Sequence, residues 1–314
     1  MYGRMQLADF LVSRALQINN ECLQLLSGLE GELKVQDVRL LTTNTRQLLS
    51  FWQMLRWSVG RAPYRDAVKR LQLVGLELPM LDSPFARVAS RLLVKTRDAG
   101  SSRAICGARD VLVGETARGL DPEQVERLAC VFQDESTCWR DYSVLRQIGD
   151  DELIVSGIVR AYVQGRRRCV RLVADPGAED GVFNKPGKLK SGLAWVRHAV
   201  NHLELLMPAL SDGNKTRLRY LRKFSRNLVK QIELDEFTIA VAELEMKAGW
   251  SRRIIRAADE HKHRILKGRR KLFPRCYGAK KREFLNSITE DVHNLGLQEV
   301  VLLPVEKVRS GEFV

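Results

Sequence analysis

The sequence predicts an all-α protein. Apolar residues return every three to four positions along nearly all of its 314 residues, and the strict alternation that marks a β-strand is rare. Residues that favour helix N-termini stand in front of several of these periodic segments. With 45% apolar and 29% charged residues, the composition is that of an ordinary globular protein, which excludes disordered, collagen-like and filamentous coiled-coil chains.

Helix boundaries follow from capping residues and breaks in the periodicity. Ser83 precedes one helix, Asp121 precedes another that has Pro122 at its first position, and Ser251 precedes a third. The clearest loop lies over residues 177–187. The predicted helices cover residues 7–28, 34–60, 62–73, 84–100, 102–117, 121–147, 151–174, 187–209, 213–232, 234–248, 251–272 and 279–294.

A short internal repeat suggests two related halves. Ser90–Lys95 (SRLLVK) recurs as Ser225–Lys230 (SRNLVK), and each copy is followed by an aspartate. A match of this length also arises by chance in a helical chain rich in leucine and arginine, so duplication and coincidence both stay open. We divide the chain into an N-terminal helical half over 1–150, a C-terminal half over 151–294 and an extended tail over 295–314.

The strongest functional signal is the positive charge. Lys and Arg number 52 against 38 acidic residues, which gives a net charge of +14. Residues 1–150 carry 20 basic and 18 acidic side chains, whereas residues 151–314 carry 32 and 20, so the net charges of the two parts are +2 and +12. This excess indicates a polyanionic partner, either a nucleic acid, an acidic membrane surface or a phosphate polymer.

The sequence indicates a cytoplasmic protein. No apolar run approaches the length of about 20 residues that a membrane span requires. Asp9 interrupts the position where a signal peptide would keep its apolar region. The cysteines form no CxxC pair, so we expect reduced thiols and neither a disulfide framework nor a zinc site.

Basic residues fall into rows at helical spacing. Between Gly213 and Ile232 the chain has basic residues and no acid, which we interpret as an unpaired cationic row, although a solvated helix face is the alternative. A second basic run over 251–273 is interrupted by Asp259 and Glu260 and fits a solvated face equally well. The first row consists of Lys215, Arg219, Arg222, Arg226 and Lys230.

Two further predicted helices each carry two cations seven residues apart. These are Arg39 and Arg46 in the first helix, and Lys190 and Arg197 in the second. Val35–Arg46 (VQDVRLLTTNTR) resembles the signature helix of the CHAD family, the conserved histidine α-helical domain, whose pattern there is V-H-x-x-R-V-x-x-R-R-L-R. Arg39 and Arg46 match this pattern, while Gln36, Thr43 and Asn44 replace a histidine and two arginines.

Other segments resemble the same family in chain order. Lys95–Ala99 is similar to its R-D segment and Tyr162–Arg167 to the stretch that opens its second half. Leu189–Leu206 resembles its second signature helix, with Lys190 at the histidine position and Arg197 at a lysine. Residues 268–273 and Phe284 resemble its final helix pair, so the resemblance covers nearly the whole chain without either name-giving histidine.

The resemblance implies two pseudo-symmetric antiparallel helical bundles that face each other across a basic central groove or pore. It implies non-enzymatic binding of inorganic polyphosphate and association with polyphosphate granules. Because Gln36 and Asn44 carry no charge, we expect the N-terminal half to contribute less than the C-terminal half. The residues that we expect to bind polyphosphate are Arg39, Arg46, Arg91, Lys95, Arg166, Lys190, Arg197, Arg219, Arg222, Arg226 and Lys230.

Three alternatives to this interpretation have some support in the sequence. The basic row suits nonspecific nucleic-acid binding or a granule scaffold. Glu243–Lys247 (ExExK) resembles the signature of CYTH-type triphosphate enzymes, although a helical ion pair explains it equally. His198 and His202 could chelate a metal or line a polar contact.

The chain offers little else for catalysis. No nucleotide-binding or nucleophile motif is present, so we predict no enzyme activity, no catalytic residue, no cofactor and no metal. The tryptophans fall at apolar helix positions, which predicts core packing rather than base stacking.

Overall fold

The computed structural model describes residues 7–29, 33–79, 83–96, 98–113, 120–141, 148–173, 186–247 and 249–295. Every regular element in these ranges is helical, which confirms the all-α prediction. None of the helices in these ranges is long and apolar enough to cross a membrane. The predicted loop over 177–187 and the predicted tail over 295–314 lie almost entirely outside the described residues.

The helices are α1 (Leu7–Ser27), α2 (Val35–Val59), α3 (Arg61–Glu77), α4 (Pro84–Lys95), α5 (Ala99–Val113), α6 (Pro122–Asp141), α7 (Asp150–Leu153), α8 (Arg160–Val173), α9 (Pro186–Leu205), α10 (Asp212–Glu243), α11 (Trp250–Tyr277) and α12 (Lys281–Leu295). A π-helical segment, Ile154–Val159, joins α7 to α8, and a 3₁₀ turn, Met207–Ala209, follows α9.

Two of the three predicted N-terminal caps are confirmed. Ser83 Oγ accepts the backbone N–H of Ala86, 3.4 Å away. Asp121 Oδ1 accepts the N–H of Gln124 at 2.7 Å, and the Gln124 side chain accepts the N–H of Asp121 in return. The prediction for Ser251 is wrong, because α11 begins one residue earlier, after Gly249, whose positive φ of 82° favours glycine.

Helix α10 runs through a predicted break. The segments 213–232 and 234–248 form one helix of 32 residues that ends at Glu243. Apolar spacing continues past Glu233 through Leu234, Phe237 and Val241, which are all buried. The helix therefore carries a buried glutamate in its interior rather than ending there.

The protein has two apolar cores, and the long helices α10 and α11 contribute residues to both. The larger core takes residues from α1, α2, α3, α6, α8, α9 and α12, and in it the rings of Trp52 and Trp139 lie 4.8 Å apart. The smaller core packs α4 and α5 against the second half of α10 and the first half of α11. Each core contains residues from both sides of position 150, and the predicted division there stays a prediction.

The π-helical segment packs closely against α2. Gly157 lies so near Met54 that a Cβ on this glycine would overlap the methionine side chain. Helix α2 also packs against α9, so the two helices with the predicted cation pairs are direct neighbours.

Candidate functional site

Arg46 on α2 and Arg197 on α9 lie close together where these helices pack. Burial lowers the pKa of Arg197 to about 10, and the positive charge of Arg46 adds to this shift. Desolvation also lowers the pKa of Arg46, although part of its side chain reaches solvent. Neither guanidinium has an ion-pair partner among the described residues. Two arginines from the predicted site thus adjoin without a compensating carboxylate.

Ser50 holds the two helices in register. Its Oγ donates to the backbone oxygen of Arg46 at 2.8 Å, and Asn201 Nδ2 donates to the same carbonyl at 3.1 Å and to Ser50 Oγ at 2.8 Å. His198 Nδ1 lies 2.9 Å from Ser50 Oγ. These bonds fix the backbone from which both arginines project. We call Arg46, Ser50, Arg197, His198 and Asn201 the first cationic cluster.

His198 of this cluster and the neighbouring His202 are uncharged at neutral pH. Burial lowers the pKa of His198 to about 3, with smaller effects of His202 and Arg197. Burial also lowers the pKa of His202 to about 4, against the opposing effect of its hydrogen bond to the Ser50 carbonyl at 2.7 Å. Both rings therefore bond to Ser50 as polar packing groups, and the positive charge of the cluster comes from the arginines.

His198 and His202 have no third metal ligand beside them among the described residues. The two ring centroids lie 6.3 Å apart, and each ring directs a nitrogen to Ser50. The described part of the chain contains no group of three or more His, Cys, Asp or Glu side chains that could hold a metal ion.

A second group of cations surrounds His261 on α11. The positive charges of Arg91, Arg264, Lys230 and Lys95 lower the pKa of His261, after burial as the largest cause. Both nitrogens of the His261 ring are buried, and neither has a hydrogen-bond partner among the described residues. We call Arg91, Lys95, Lys230, His261 and Arg264 the second cationic cluster.

One buried carboxylate adjoins the second cluster. Glu233 on α10 is 9% exposed and accepts hydrogen bonds from Arg87, at 2.8 Å, and from Arg91. These bonds join α4 to α10 across the boundary between the predicted halves. Arg91 is therefore already paired in the free protein, whereas Lys230 has no ion pair among the described residues.

The predicted cationic row on α10 is only partly unpaired. Arg222 Nε donates to Glu204 of α9 at 2.8 Å, and Lys215 lies 3.7 Å from Asp212. The expectation of a wholly unpaired row is wrong because these carboxylates lie outside the interval 213–232, one of them on another helix. Arg226 and Lys230 have no ion pair within the described ranges.

The remaining predicted residues are spread over other surfaces. Lys190 pairs with Glu236 of α10 at 2.8 Å, and Arg219 donates to Thr216 at 3.1 Å. Arg39 is exposed on α2, and Arg166 is exposed on α8. Among the predicted residues, Arg46 is near enough to Arg197 to lower its pKa, and Arg91, Lys95 and Lys230 are near enough to His261 to lower that of the ring.

Glu243–Lys247 forms neither a strand, which a triphosphate site would need, nor a helix with an ion pair between its ends. Helix α10 ends at Glu243, and residues 244–247 are neither helical nor extended in a strand. The predicted helical ion pair is therefore wrong, and Lys247 Nζ lies instead 5.3 Å from the ring centroid of Trp250. A strand that would align the two glutamates and the lysine is likewise missing from this described segment.

The prediction of buried tryptophans is confirmed for Trp52 and Trp139 and wrong for Trp57. Trp57 is 48% exposed near the end of α2. The Arg160 guanidinium carbon lies 4.1 Å from the centroid of its ring. A cation covers this ring in place of apolar neighbours.

Sequence reasoning missed Ser50, Glu233 and the environment of His261. Ser50 follows Arg46 by one helical turn, which is a usable signal once α2 and α9 are known to pack. Glu233 is the first acid after the apolar and basic stretch that ends at Ile232. Its partners lie on α4, so the pattern of α10 alone could not predict them.

No protein-family model, curated protein sequence or solved structure matches the chain. The functional interpretation therefore depends on the residues of the two clusters.

Proposed function

We propose that the protein binds inorganic polyphosphate without catalysis, through the two cationic clusters and the basic row of α10. The observation that carries the proposal is the meeting of Arg46 and Arg197 without a carboxylate partner among the described residues. Two neighbouring positive charges, one of them half-buried, repel each other and destabilise the free protein. A phosphate group between the two guanidinium groups would accept hydrogen bonds from both and remove their repulsion.

A linear polymer suits the distribution of charge better than a single phosphate group. Lys215 to Lys230 extend over about 22 Å of α10, at 1.5 Å per residue. Lys230 belongs both to this row and to the second cationic cluster. A phosphate chain that follows α10 would meet Arg226 and Lys230, the two members that have no ion pair among the described residues.

The same proposal includes membership of the CHAD family. Arg46 and Arg197 lie on the two segments that resemble its signature helices, and these helices are neighbours. Under this proposal the two clusters belong to one basic groove between two pseudo-symmetric helical bundles. The protein would then associate with polyphosphate granules in the cytoplasm.

Chain length provides the test of the proposed ligand. We expect long-chain polyphosphate to bind more tightly than the same phosphate concentration supplied as tripolyphosphate, because a longer chain contacts more cations at once. Fluorescence anisotropy or calorimetry measures both affinities. Equal binding of the two, or no binding of either, would remove the proposal.

Competition separates polyphosphate from nucleic acid. We expect duplex DNA at the same phosphate concentration to displace labelled polyphosphate poorly. Displacement at equal concentrations would support a general polyanion site that holds a sugar-phosphate backbone.

A further inference from the structure

His261 lies at the meeting point of charged groups from three helices. Helix α4 contributes Arg91 and Lys95, and α10 contributes Lys230. On α11 itself, Arg264 adds a fourth positive charge. Other charged side chains on these three helices form ion pairs of their own; they are Arg87, Glu233, Asp235, Asp259, Glu260 and Lys262.

The carboxylates near His261 are engaged by other cations. Glu233 bonds to Arg87 and Arg91. Asp235 Oδ1 lies 2.9 Å from Lys262 Nζ, and Glu260 lies 3.9 Å from Arg264. The His261 ring thus has cations around it, and neither of its buried nitrogens has a hydrogen-bond partner.

This arrangement opposes a charge on the free ring. A protonated imidazole here would face four positive charges, and its N–H groups would have no acceptor in the present side-chain arrangement. Phosphate groups bound to Arg91, Lys95 and Lys230 would remove both the repulsion and the lack of an acceptor. They neutralise the cations, and their oxygens accept N–H bonds once the flexible lysine and arginine side chains turn toward the ligand.

We propose that polyphosphate binding at the second cationic cluster is coupled to the uptake of one proton by His261. The proton comes from solvent or buffer and forms an N–H bond on one ring nitrogen, so the ring gains one positive charge. The inference rests on the proposed function, because polyphosphate supplies the negative charge. His261 would then act as an additional cation that appears only when the ligand is present.

The direction of the pH dependence follows from linkage. Neighbouring cations and burial place the pKa of His261 in the free protein below its ordinary value, and bound phosphate raises it. Between these two values the complex binds more protons than the free protein. Affinity therefore rises as pH falls through this interval, by up to about tenfold per pH unit for one proton.

Calorimetry in buffers of different ionisation enthalpy measures the proton uptake directly. Long-chain polyphosphate is titrated into wild type, His261→Gln and the control His263→Gln at pH values from 5.5 to 8. His263 is exposed two residues further along α11 and points away from the His261 ring. Long chains are used because they have few terminal groups that titrate in this range, and circular dichroism confirms that each variant is folded.

We expect wild type and His263→Gln to take up as much as one proton per bound site, and His261→Gln to take up correspondingly less. The ratio of the wild-type affinity to that of His261→Gln should increase several-fold between pH 8 and pH 6. Equal proton uptake and pH dependence in wild type and a folded His261→Gln variant would overturn the inference while leaving the proposed function intact. Failure of wild type to bind polyphosphate at any pH would instead overturn the proposed function.

A second measurement does not depend on a variant. The ring signals of His261 in the nuclear magnetic resonance spectrum report its titration in the intact protein. We expect the midpoint of this titration to move to higher pH when polyphosphate saturates the protein. A midpoint that stays in place under saturation would contradict the coupling.

Discussion

The histidines of the two cationic clusters differ in the hydrogen bonds of their rings. In the first cluster, His198 is bonded to Ser50 and burial holds its pKa at about 3. In the second, neither ring nitrogen of His261 has a hydrogen-bond partner in the part of the chain that the structure describes. The comparison shows that the surroundings of a histidine, more than its presence near a basic site, decide whether a ligand can change its charge.

The clusters differ also in their carboxylates. Arg46 and Arg197 have no ion-pair partner within the described ranges, whereas Arg91 is bonded to the buried Glu233. Under the proposed function, a polyanion would reach the first cluster without displacing a carboxylate of the described residues. At the second cluster it competes with Glu233 for the arginine, so the first cluster should supply more of the binding free energy.

The largest expected effect comes from the cations of the C-terminal half. We expect Arg197→Glu combined with Arg226→Glu to weaken polyphosphate binding by at least about 100-fold, because each charge-assisted hydrogen bond contributes roughly 1.5–3 kcal/mol. Arg39→Glu with Arg46→Glu should have a smaller effect, since it leaves the cations of the C-terminal half in place. Equilibrium binding with labelled long-chain polyphosphate measures both.

Arg252→Glu with Arg256→Glu is the matched control for these charge reversals. Both arginines are exposed on α11, and Arg256 lies 3.7 Å from Glu260. This variant changes the net charge by the same amount and should weaken binding only mildly. If it proved the most damaging of the three in a folded protein, the binding surface would lie on α11 instead.

The buried His202, which bonds to Ser50 of the first cluster, predicts a loss of stability in acid. His202 is neutral in the folded protein down to a pKa of about 4, whereas in the unfolded chain it takes up a proton near pH 6.5. Protonation therefore lowers the free energy of unfolding as pH falls below 6.5. The loss stops growing once pH is below the pKa of His202 in the folded protein. By pH 5 it amounts to about 2 kcal/mol.

We expect His202→Gln, which retains a donor for the Ser50 carbonyl, to lose correspondingly less stability than wild type between pH 7.5 and 5. Urea unfolding at each pH measures the difference. His293→Gln, at an exposed position of α12, is measured beside it as the control for the loss of one imidazole. A His202→Gln profile parallel to wild type would show that the ring is solvated.

Arg197 should stabilise the complex and destabilise the free protein. Replacement by Gln removes the repulsion from Arg46 and the burial of one charge, so we expect the free energy of unfolding to rise by roughly 1–2 kcal/mol while binding weakens. Denaturant unfolding and polyphosphate titration of the same variant measure both. A decrease in stability would mean that Arg197 is compensated in the free protein.

The smallest expected effect concerns Glu233. Glu233→Gln removes the carboxylate that engages Arg87 and Arg91, and we expect polyphosphate affinity to rise a few-fold. The free energy of unfolding should fall by about 1–3 kcal/mol, because a buried ion-paired group is lost. Unchanged affinity in a folded variant would show that these arginines do not meet the ligand.

Periodicity predicted most of the helices, since amphipathic spacing reflects the apolar face that each helix buries. It failed at Glu233, where a buried acid inside α10 looks like a polar interruption until its partners on α4 are known. The cations of the site could be named from spacing alone. Their pairing with Glu204, Glu233 and Glu236 could not, because the partners in each pair come from different helices.

The salt dependence of polyphosphate binding tests the central claim most directly. Each protein cation that neutralises a phosphate releases counterions, so the logarithm of the binding constant falls linearly with the logarithm of the salt concentration. We predict that Arg46→Gln with Arg197→Gln reduces the magnitude of this slope by about two relative to wild type, one for each lost contact. The same slope in both proteins would contradict the assignment of Arg46 and Arg197 to the polyphosphate site.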